Sequence, residues 1–438
     1  MLPSANVCTF CAYADKHHSK QYAQNAKQKR YFAQQICDKL KQKYKFPFQA
    51  VQHLSEVLKI LDGALKANAS MASNYAGLLA DKLEQDGERQ QARQLRERLA
   101  RAPVALVSAQ DAGHGVSLGQ LPTDNESRLN TVDVSRPRSL DIELVLPSAI
   151  QGRLNEFLQC VRHYDELARA GAAVPSRLLI YGPPGTGKTQ TARWLAAQLE
   201  LPLLTVRCDT LVSSLLGQTS RNLRRVFDYA EQNPSILFLD EFDALAGARG
   251  NERDVGELQR VVIALLQNID ALPDSTILVA ATNHEQLLDA AIGRRFAFHL
   301  PMPLPDAALR TILWQRWLNS YAPEGTDWDE LSHLSAGTTG AVIEHVCMDA
   351  KRTAILAGQP VIEESDLYRR LGLAQALALG ERLSTTEQEI AWLRQWAPDR
   401  FSLRVLGAMY SHSTRKITSI IQAEKGENNG NKKGASRR

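Results

Sequence analysis

The stretch Gly182-Pro183-Pro184-Gly185-Thr186-Gly187-Lys188-Thr189 matches the phosphate-binding pattern of a glycine, four residues, and then Gly-Lys-Ser/Thr. Residues 177–181 before it form a short apolar run that predicts a buried parallel strand. Residues 190–197 after it have helical periodicity. In such a strand, loop and helix, backbone N–H groups and the helix N-terminus converge on phosphate oxygens. We therefore expect Lys188 to reach the β- and γ-phosphates and Thr189 to offer its hydroxyl to Mg²⁺.

The hydrophobic and charged content is normal for a soluble protein, and we expect a cytoplasmic location. The 438 residues are enough for two to four domains, and the net charge of +4 is too small for a whole-chain argument about nucleic acid. No stretch approaches the roughly 18 apolar residues that cross a bilayer. The six cysteines are mostly scattered singly among apolar neighbours, which suits reduced thiols in a reducing compartment.

Further apolar runs at 203–207, 236–240, 276–281 and 298–300 alternate with helical segments, which predicts an α/β fold with a five-stranded parallel sheet covered on both faces. Residues 306–372 contain no strand pattern and predict a helical lid. The expected organisation is a disordered tail (1–20), a helical N-terminal interaction module (21–103), a linker (104–140), the large α/β domain (141–303), the lid (304–378), a helix-turn-helix-like extension (379–423) and a basic disordered tail (424–438).

Polar residues follow two of these predicted strands. Asp240 and Glu241 come at the carboxyl end of one strand, the edge at which ligands bind in open α/β sheets. Asp240 is placed to hold Mg²⁺ through water, and Glu241 to orient and deprotonate an attacking water. Asn283, after the next strand, is placed to hydrogen-bond that water or the γ-phosphate. The alternative is a pair of surface carboxylates that only cap a strand.

Arg294 and Arg295 are adjacent and have no acidic neighbour in sequence. Phosphoryl transfer gains on the order of 10³–10⁵ in rate from an arginine supplied by another subunit, so the pair is a candidate for that role. An ordinary exposed arginine pair is the alternative.

Residues 141–373 resemble an AAA+ ATPase of the AAA subfamily, which assembles as hexameric rings. The motifs that carry the resemblance are the phosphate loop (Walker A), 236–243 (Walker B), 281–283 (sensor 1), 294–296 (arginine fingers) and 339–341 at the start of a lid helix. In that subfamily Gly340 and Ala341 stand where other AAA+ proteins carry a sensor-2 arginine. Leu146, within Val145-Leu146-Pro147, matches the segment that contacts adenine.

The resemblance implies ATP and Mg²⁺ as cofactors and a homo-oligomer, in particular a hexamer, that acts on a protein partner. The implied catalytic residues are Glu241, Asn283, Arg294 and Arg295, and the implied metal-binding residues are Thr189 and Asp240. The implied nucleotide-binding residues are Leu146, Gly182, Pro183, Pro184, Gly185, Thr186, Gly187, Lys188, Thr189, Gln190, Gly340 and Ala341.

The sequence departs from the family pattern at two places. The pore loop that grips substrates corresponds to Leu215-Leu216-Gly217, which lacks the usual aromatic residue. Leucine still offers apolar contact, but gripping by bulky rings is then in doubt. Many relatives also separate their two finger arginines by two residues. Because Arg294 and Arg295 are adjacent, the sequence does not decide which one reaches the phosphate.

Two terminal segments have further patterns. Residues 402–421 resemble a helix-turn-helix, with Gly407 at the helix crossing, Ser411 in place of the usual turn glycine, and Arg415 and Lys416 near the start of a recognition helix. DNA contact and a helical interaction module with a basic tail both remain open. At the other end, Cys8 and Cys11 with nearby histidines form a loosely spaced half zinc site or part of a disordered tail.

We expect an ATP-driven ring ATPase that remodels or regulates a partner macromolecule, in particular a protein such as a protease or another effector. The alternative is a nucleotide-switched DNA-binding regulator that uses the C-terminal helix-turn-helix. Both hypotheses share the same nucleotide site, so the catalytic residues do not separate them.

Overall fold

The computed structural model describes residues 53–66, 68–100, 132–139, 142–206, 216–242, 255–284, 286 and 290–435. The chain divides into two compact units, Met1–Gly119 with Cys160–Val174 and Gln120–Gln159 with Pro175–Arg438. Within the described ranges, no helix is both long and apolar enough to cross a bilayer.

The helices, in chain order, are α1 (Leu54–Leu65), α2 (Ala69–Gln85), α3 (Arg89–Ala100), α4 (Ser148–Arg162), α5 (Tyr164–Arg169), α6 (Lys188–Leu199), α7 (Leu216–Gln232), α8 (Val255–Ala271), α9 (Ala290–Gly293), α10 (Ala307–Leu318), α11 (Trp328–Leu334), α12 (Gly340–Leu356), α13 (Glu364–Ala378), α14 (Thr386–Trp396), α15 (Leu403–Met409) and α16 (Thr414–Ala435). The strands are β1 (Val132–Ser135), β2 (Arg177–Tyr181), β3 (Leu203–Val206), β4 (Ile236–Leu239), β5 (Ile277–Thr282) and β6 (Phe298–Pro301).

The contact between α1 and α2 in the first unit contains charged side chains. Glu56 and Lys59 of α1 are buried, whereas Leu61 of the same helix is exposed. Glu56 pairs with Lys82 of α2 at 2.5 Å, and the Lys59 amino group lies 5.7 Å from the centre of the Tyr75 ring. An ion pair and a cation–π contact therefore compensate the desolvation of the two buried charges.

The sheet of the second unit has the strand order β1-β3-β4-β5-β2-β6. All neighbouring pairs from β3 to β6 are parallel, and β1 joins β3 in antiparallel fashion. The predicted α/β class and the parallel sheet are confirmed. Strands β4 and β5 are buried along their whole length, as expected where helices cover both faces of a sheet.

The sixth strand corrects the sequence prediction of five. β1 lies inside the segment 104–140 that we predicted to be a linker, and its Val132 is fully buried opposite Val206. A strand of four residues with only one alternating apolar pair is too short to show a period in sequence. The sheet domain therefore begins before residue 141.

The lid and the C-terminal helices share one hydrophobic core. Buried side chains of α10 to α13, among them Trp314 and Leu371, belong to the same cluster as Leu393 of α14, Leu406 of α15 and Ile417 of α16. The predicted boundary between 378 and 379 therefore does not separate two cores. The sequence does not predict this shared core. The amphipathic period of a helix shows which face is buried, but it does not show which other helix packs against that face.

Charged pairs join the lid to the extension as well. Arg400, which follows α14, donates to Glu330 of α11 and Glu364 of α13, and its ion pair with Glu330 raises the pKa of the guanidinium. Arg369 of α13 donates to Glu389 of α14, which also accepts a hydrogen bond from the Tyr410 hydroxyl. Burial raises the pKa of Tyr410, so its phenol stays neutral and keeps its proton for this bond.

The turn between α15 and α16 is tight. Ser411 adopts a left-handed backbone conformation with φ of 53°, at the position where the sequence pattern normally has glycine. A Cβ on Gly407 would lie 2.7 Å from the His412 carbonyl oxygen, so only glycine allows this close approach. Ile417 and Ile420 are buried, and Arg415 and Lys416 are exposed on the first turn of α16.

Candidate functional site

The register of the central strands brings the predicted site residues to one edge of the sheet. Tyr181 of β2 pairs with Thr282 of β5, and Leu239 of β4 pairs with Ala280 of β5. The carboxyl ends of β2, β4 and β5 therefore lie at nearly the same level, and the segments that follow them begin at the same edge of the sheet. The loop that follows β2 stays tied to this edge, because the Gly182 N–H donates to the Thr282 carbonyl at 3.3 Å.

The phosphate loop wraps around its own lysine. Lys188 is buried, and its amino group donates to the carbonyl oxygens of Gly182 and Pro183, both at 2.8 Å. The Thr186 hydroxyl also donates to the Pro183 carbonyl, at 2.9 Å. Lys188 is the first residue of α6, so its ammonium and the positive end of the helix dipole lie together at the loop.

Two glycines of the loop sit where any side chain would collide. A Cβ on Gly182 would lie 2.2 Å from the Met302 carbonyl oxygen, just after β6. A Cβ on Gly185, whose φ is 76°, would lie 2.6 Å from the Thr339 hydroxyl oxygen. The glycines thus let the sheet and the lid approach the loop backbone directly.

The predicted metal-binding residues are in contact. The Thr189 hydroxyl donates to Asp240 Oδ2 at 2.9 Å, and the other carboxylate oxygen of Asp240 accepts the Glu241 N–H at 3.0 Å. A hydroxyl and a carboxylate beside a phosphate loop form the hard oxygen set that Mg²⁺ prefers, so these residues fit the ion. Glu241 is exposed and has φ of 50°, an uncommon conformation for a non-glycine residue.

The turn that carries Glu241 is anchored to the next strand. The Phe242 N–H donates to the Ala281 carbonyl of β5 at 2.9 Å, and the Phe242 ring is fully buried. Asn283 follows β5 at the same edge and is half-buried. The structure therefore brings the carboxylate predicted as base and the amide predicted to hold water to one edge of the sheet.

The predicted lid residues touch the loop. Ala341, in the first turn of α12, donates its N–H to the Gly185 carbonyl at 3.1 Å, and Thr339 caps that helix. Gly340 lies between them, with the Gly185 carbonyl 3.8 Å from where its Cβ would be. Of the other predicted nucleotide-binding residues, Leu146 is half-buried in the segment before α4, and Pro184 and Gln190 are exposed.

The two predicted finger arginines differ in their surroundings. Arg294 is exposed, and it makes no hydrogen bond or ion pair with any part of the chain that the structure describes. Arg295 is half-buried and forms a bidentate ion pair with Asp270 at the end of α8, at 2.7 and 2.8 Å. Within the described residues, Arg295 is therefore held by an ion pair in its own chain, whereas Arg294 is not.

Several residues of this region were missed from the sequence. Met302 shapes the phosphate loop, whereas Asp270 and His299 hold the finger segment. Asp270 lies 25 residues before Arg295, and neither has a sequence signal that identifies the other. His299 lies only three and six residues after the two carbonyls that it contacts, but a single histidine in a short strand gives no sequence signal for that role.

Some predictions concern residues outside the described ranges. They include Cys8, Cys11 and the nearby histidines of the zinc hypothesis, and Leu215 of the pore loop. They also include Asp243 and the basic residues Arg437 and Arg438. These predictions therefore stay predictions.

Comparisons with known proteins agree with this geometry. Residues 178–304 match the family described as ATPase family associated with various cellular activities (AAA). An uncharacterized AAA family ATPase of Sinorhizobium fredii is 37% identical over 298 residues, which cover 67% of this chain and 87% of that protein.

Two further similar proteins have names connected with the proteasome. A proteasome-activating nucleotidase of Methanopyrus kandleri is 30% identical over 61% of this chain and 66% of its own length. The 26S proteasome regulatory subunit 10B of Dictyostelium discoideum is 32% identical over 47% of this chain and 55% of its own length. The chain thus matches just under two thirds of the first protein and about half of the second.

We expect Gly185→Ala to weaken ATP binding by at least about tenfold, because a methyl group there strains a left-handed backbone and pushes Thr339 off the loop. Isothermal titration with ATP measures this change. Gly171→Ala is the matched control: its φ of 71° brings similar strain, but no atom lies within 4 Å of the new methyl group. Equal affinity in the wild type and the Gly185 variant would show that the lid contact does not shape the site.

Proposed function

Since this chain belongs to the AAA family of ATPases, we propose that it couples ATP hydrolysis in a homo-oligomeric ring, a hexamer, to the remodelling or regulation of a partner protein. The observation that carries the proposal is the convergence of Lys188, Asp240, Glu241 and Asn283 at one edge of the parallel sheet. The exposed Arg294 supports the ring, because within its own chain it has no described partner.

The roles follow from the chemistry of each group. Lys188 and the N–H groups of the loop neutralise the β- and γ-phosphates, and Glu241 orients and deprotonates the attacking water. Asn283 holds that water or the γ-phosphate from the side. Thr189 and Asp240 would hold Mg²⁺, which would supply neutralisation of phosphate charge.

The lid is hydrogen-bonded directly to the phosphate loop. The Ala341 N–H bonds to Gly185 of the phosphate loop, and α12 continues from this point into the core that the lid shares with the C-terminal helices. A loop that rearranges around phosphate therefore acts on the first turn of α12. We propose that this contact passes hydrolysis on to the surfaces that bind the partner.

A protein partner is favoured by the names of the similar proteins. Proteasome-activating nucleotidases and a proteasome regulatory subunit are among them. By analogy, the partner is a protein substrate, a protease or another effector. The N-terminal helices, with their polar α1–α2 contact and exposed Leu61, belong with Cys160–Val174 to a separate compact unit that is suited to selecting it.

Glu241→Gln should lower ATP turnover by about 10²- to 10⁴-fold and leave ATP affinity near that of the wild type, because only the base is lost. Lys188→Ala should instead abolish ATP binding, because the γ-phosphate loses its ammonium partner. Phosphate release and calorimetric titration measure the two effects. Turnover of the Glu241 variant within a few-fold of wild type would rule out its role as the base.

Arg294→Ala should nearly abolish turnover in the ring, a loss on the order of 10³- to 10⁵-fold, because no neighbour then receives a finger. Mixing this variant with inactive Glu241→Gln subunits should restore part of the activity, since some interfaces then combine an intact base with an intact finger. Light scattering with ATP should show an oligomer. A strictly monomeric, fully active enzyme would contradict the ring.

A second candidate function is DNA binding through α15 and α16. The observation that favours it is the tight turn at Gly407 and Ser411, which leaves Arg415 and Lys416 exposed on a first turn that contains no acidic residue. Basic side chains in that position suit phosphate contacts of a recognition helix. A truncation at Ser402 would strip Leu406 and Ile417 from the shared core, so point variants test this function better.

If duplex DNA is a ligand, its affinity should fall steeply as salt rises, because each neutralised phosphate releases counterions. Joint replacement of Arg415 and Lys416 by alanine should then weaken binding and reduce the salt slope by about 2. Fluorescence anisotropy with a labelled duplex measures both. Arg352→Ala, at an exposed lid arginine, is the control. No binding of the intact protein at low salt would reject this second function.

A further inference from the structure

The adjacent arginines of the finger turn are held in different ways. We propose that Arg294 alone enters the neighbouring subunit's site, and that Arg295 is a positioning residue whose ion pair with Asp270 aims Arg294. This inference rests on the ring proposed above. It assigns different roles to Arg294 and Arg295, which the sequence alone did not distinguish.

Arg295 already uses its guanidinium within its own chain. Nε and Nη2 donate to the two carboxylate oxygens of Asp270 at 2.7 and 2.8 Å. Nη1 donates to the Ala291 carbonyl at 2.6 Å. Bidentate charge-assisted bonds fix the plane of an arginine head group as well as its position. Arg295 would have to give up all three bonds to reach a phosphate in another subunit.

The backbone that carries both arginines is fixed from its inner side. The Arg295 and Phe296 N–H groups donate to the Ile292 and Gly293 carbonyls at 3.0 and 3.1 Å. His299 Nε2 lies 3.2 Å from the Gly293 carbonyl and 3.1 Å from the Phe296 carbonyl. Since both carbonyls accept, Nε2 must carry the proton, and the ring then bridges the two ends of the turn.

The turn is also joined to the catalytic edge of its own sheet. Phe296 is buried and meets Phe242 edge to face, with 6.2 Å between ring centres and 79° between planes. Phe242 directly follows Glu241 and bonds to β5 through its N–H. The finger turn therefore has a fixed position relative to the base of the same subunit.

These contacts leave Arg294 as the outward side chain of an ordered turn. It follows Gly293 and precedes Arg295, so its backbone lies between two anchored positions. The pair of Arg295 with Asp270 on α8 prevents this turn from rotating about the Phe296 contact. Loss of the pair should misplace Arg294 without removing it.

Asp270→Ala tests the division of roles because the two alternatives predict opposite results. If Arg295 positions Arg294, Asp270→Ala and Arg295→Ala should each lower turnover roughly 10- to 100-fold, because misplacement by about 1 Å costs on the order of 10² in rate. The double variant should be no worse than either single one. If Arg295 were the finger, Asp270→Ala would release it, and turnover would stay the same or rise.

Mixing with Glu241→Gln subunits shows where the defect acts. Asp270→Ala subunits keep an intact base, so partners with intact fingers should restore their turnover. A variant that fails to recover, or single losses that multiply in the double variant, overturns the positioning role. Asp228→Ala, which breaks the exposed pair with Arg224 on α7, is the control and should keep wild-type turnover.

The results also separate this inference from the ring itself. Full turnover of Arg294→Ala would reject the finger and the ring proposal with it. An inactive Arg294→Ala that recovers on mixing, together with an active Asp270→Ala, would reject only the positioning role of Arg295.

Discussion

The parallel register of β2, β4 and β5 is the constraint on which the rest of the site depends. Backbone hydrogen bonds set this register, and they bring the phosphate loop, the Asp240–Glu241 turn and Asn283 to one level. The contacts that finish the site, from Gly182 N–H to Thr282 and from Phe242 N–H to Ala281, are backbone bonds too. Side chains could be exchanged at many positions, but a shift of one strand would separate the lysine from the carboxylates.

The sequence predicted those parts of the molecule whose chemistry lies in contiguous residues. The phosphate loop, the apolar run before Asp240 and the buried strand before Asn283 are local patterns, and the parallel sheet followed from their alternation. β1 was missed because four residues carry too little periodicity. The Asp270–Arg295 pair and the close approach of Thr339 to Gly185 arise only when distant segments meet, so no local pattern reveals them.

The shared core changes how the C-terminal helices should be viewed. Their sequence resembles an independent helix-turn-helix, yet Leu406 and Ile417 are buried with residues of the lid, and Arg400 and Arg369 add ion pairs across the same boundary. Because these helices and the lid bury apolar area against each other, the stability of each depends on the other. A ligand that binds these helices would therefore act on the lid, whose α12 touches the phosphate loop.

The imidazole of His299 that bridges the two ends of the finger turn has an entropic consequence. A side chain on a loose loop must lose backbone freedom, about 1–2 kcal/mol per residue, in addition to about 2 kcal/mol of arginine rotamer freedom. The finger turn is already ordered by His299, Phe296 and Asp270, so most of its backbone entropy is lost when the subunit folds. In the ring that we propose, an encounter between subunits would then have only the rotamers of Arg294 left to order.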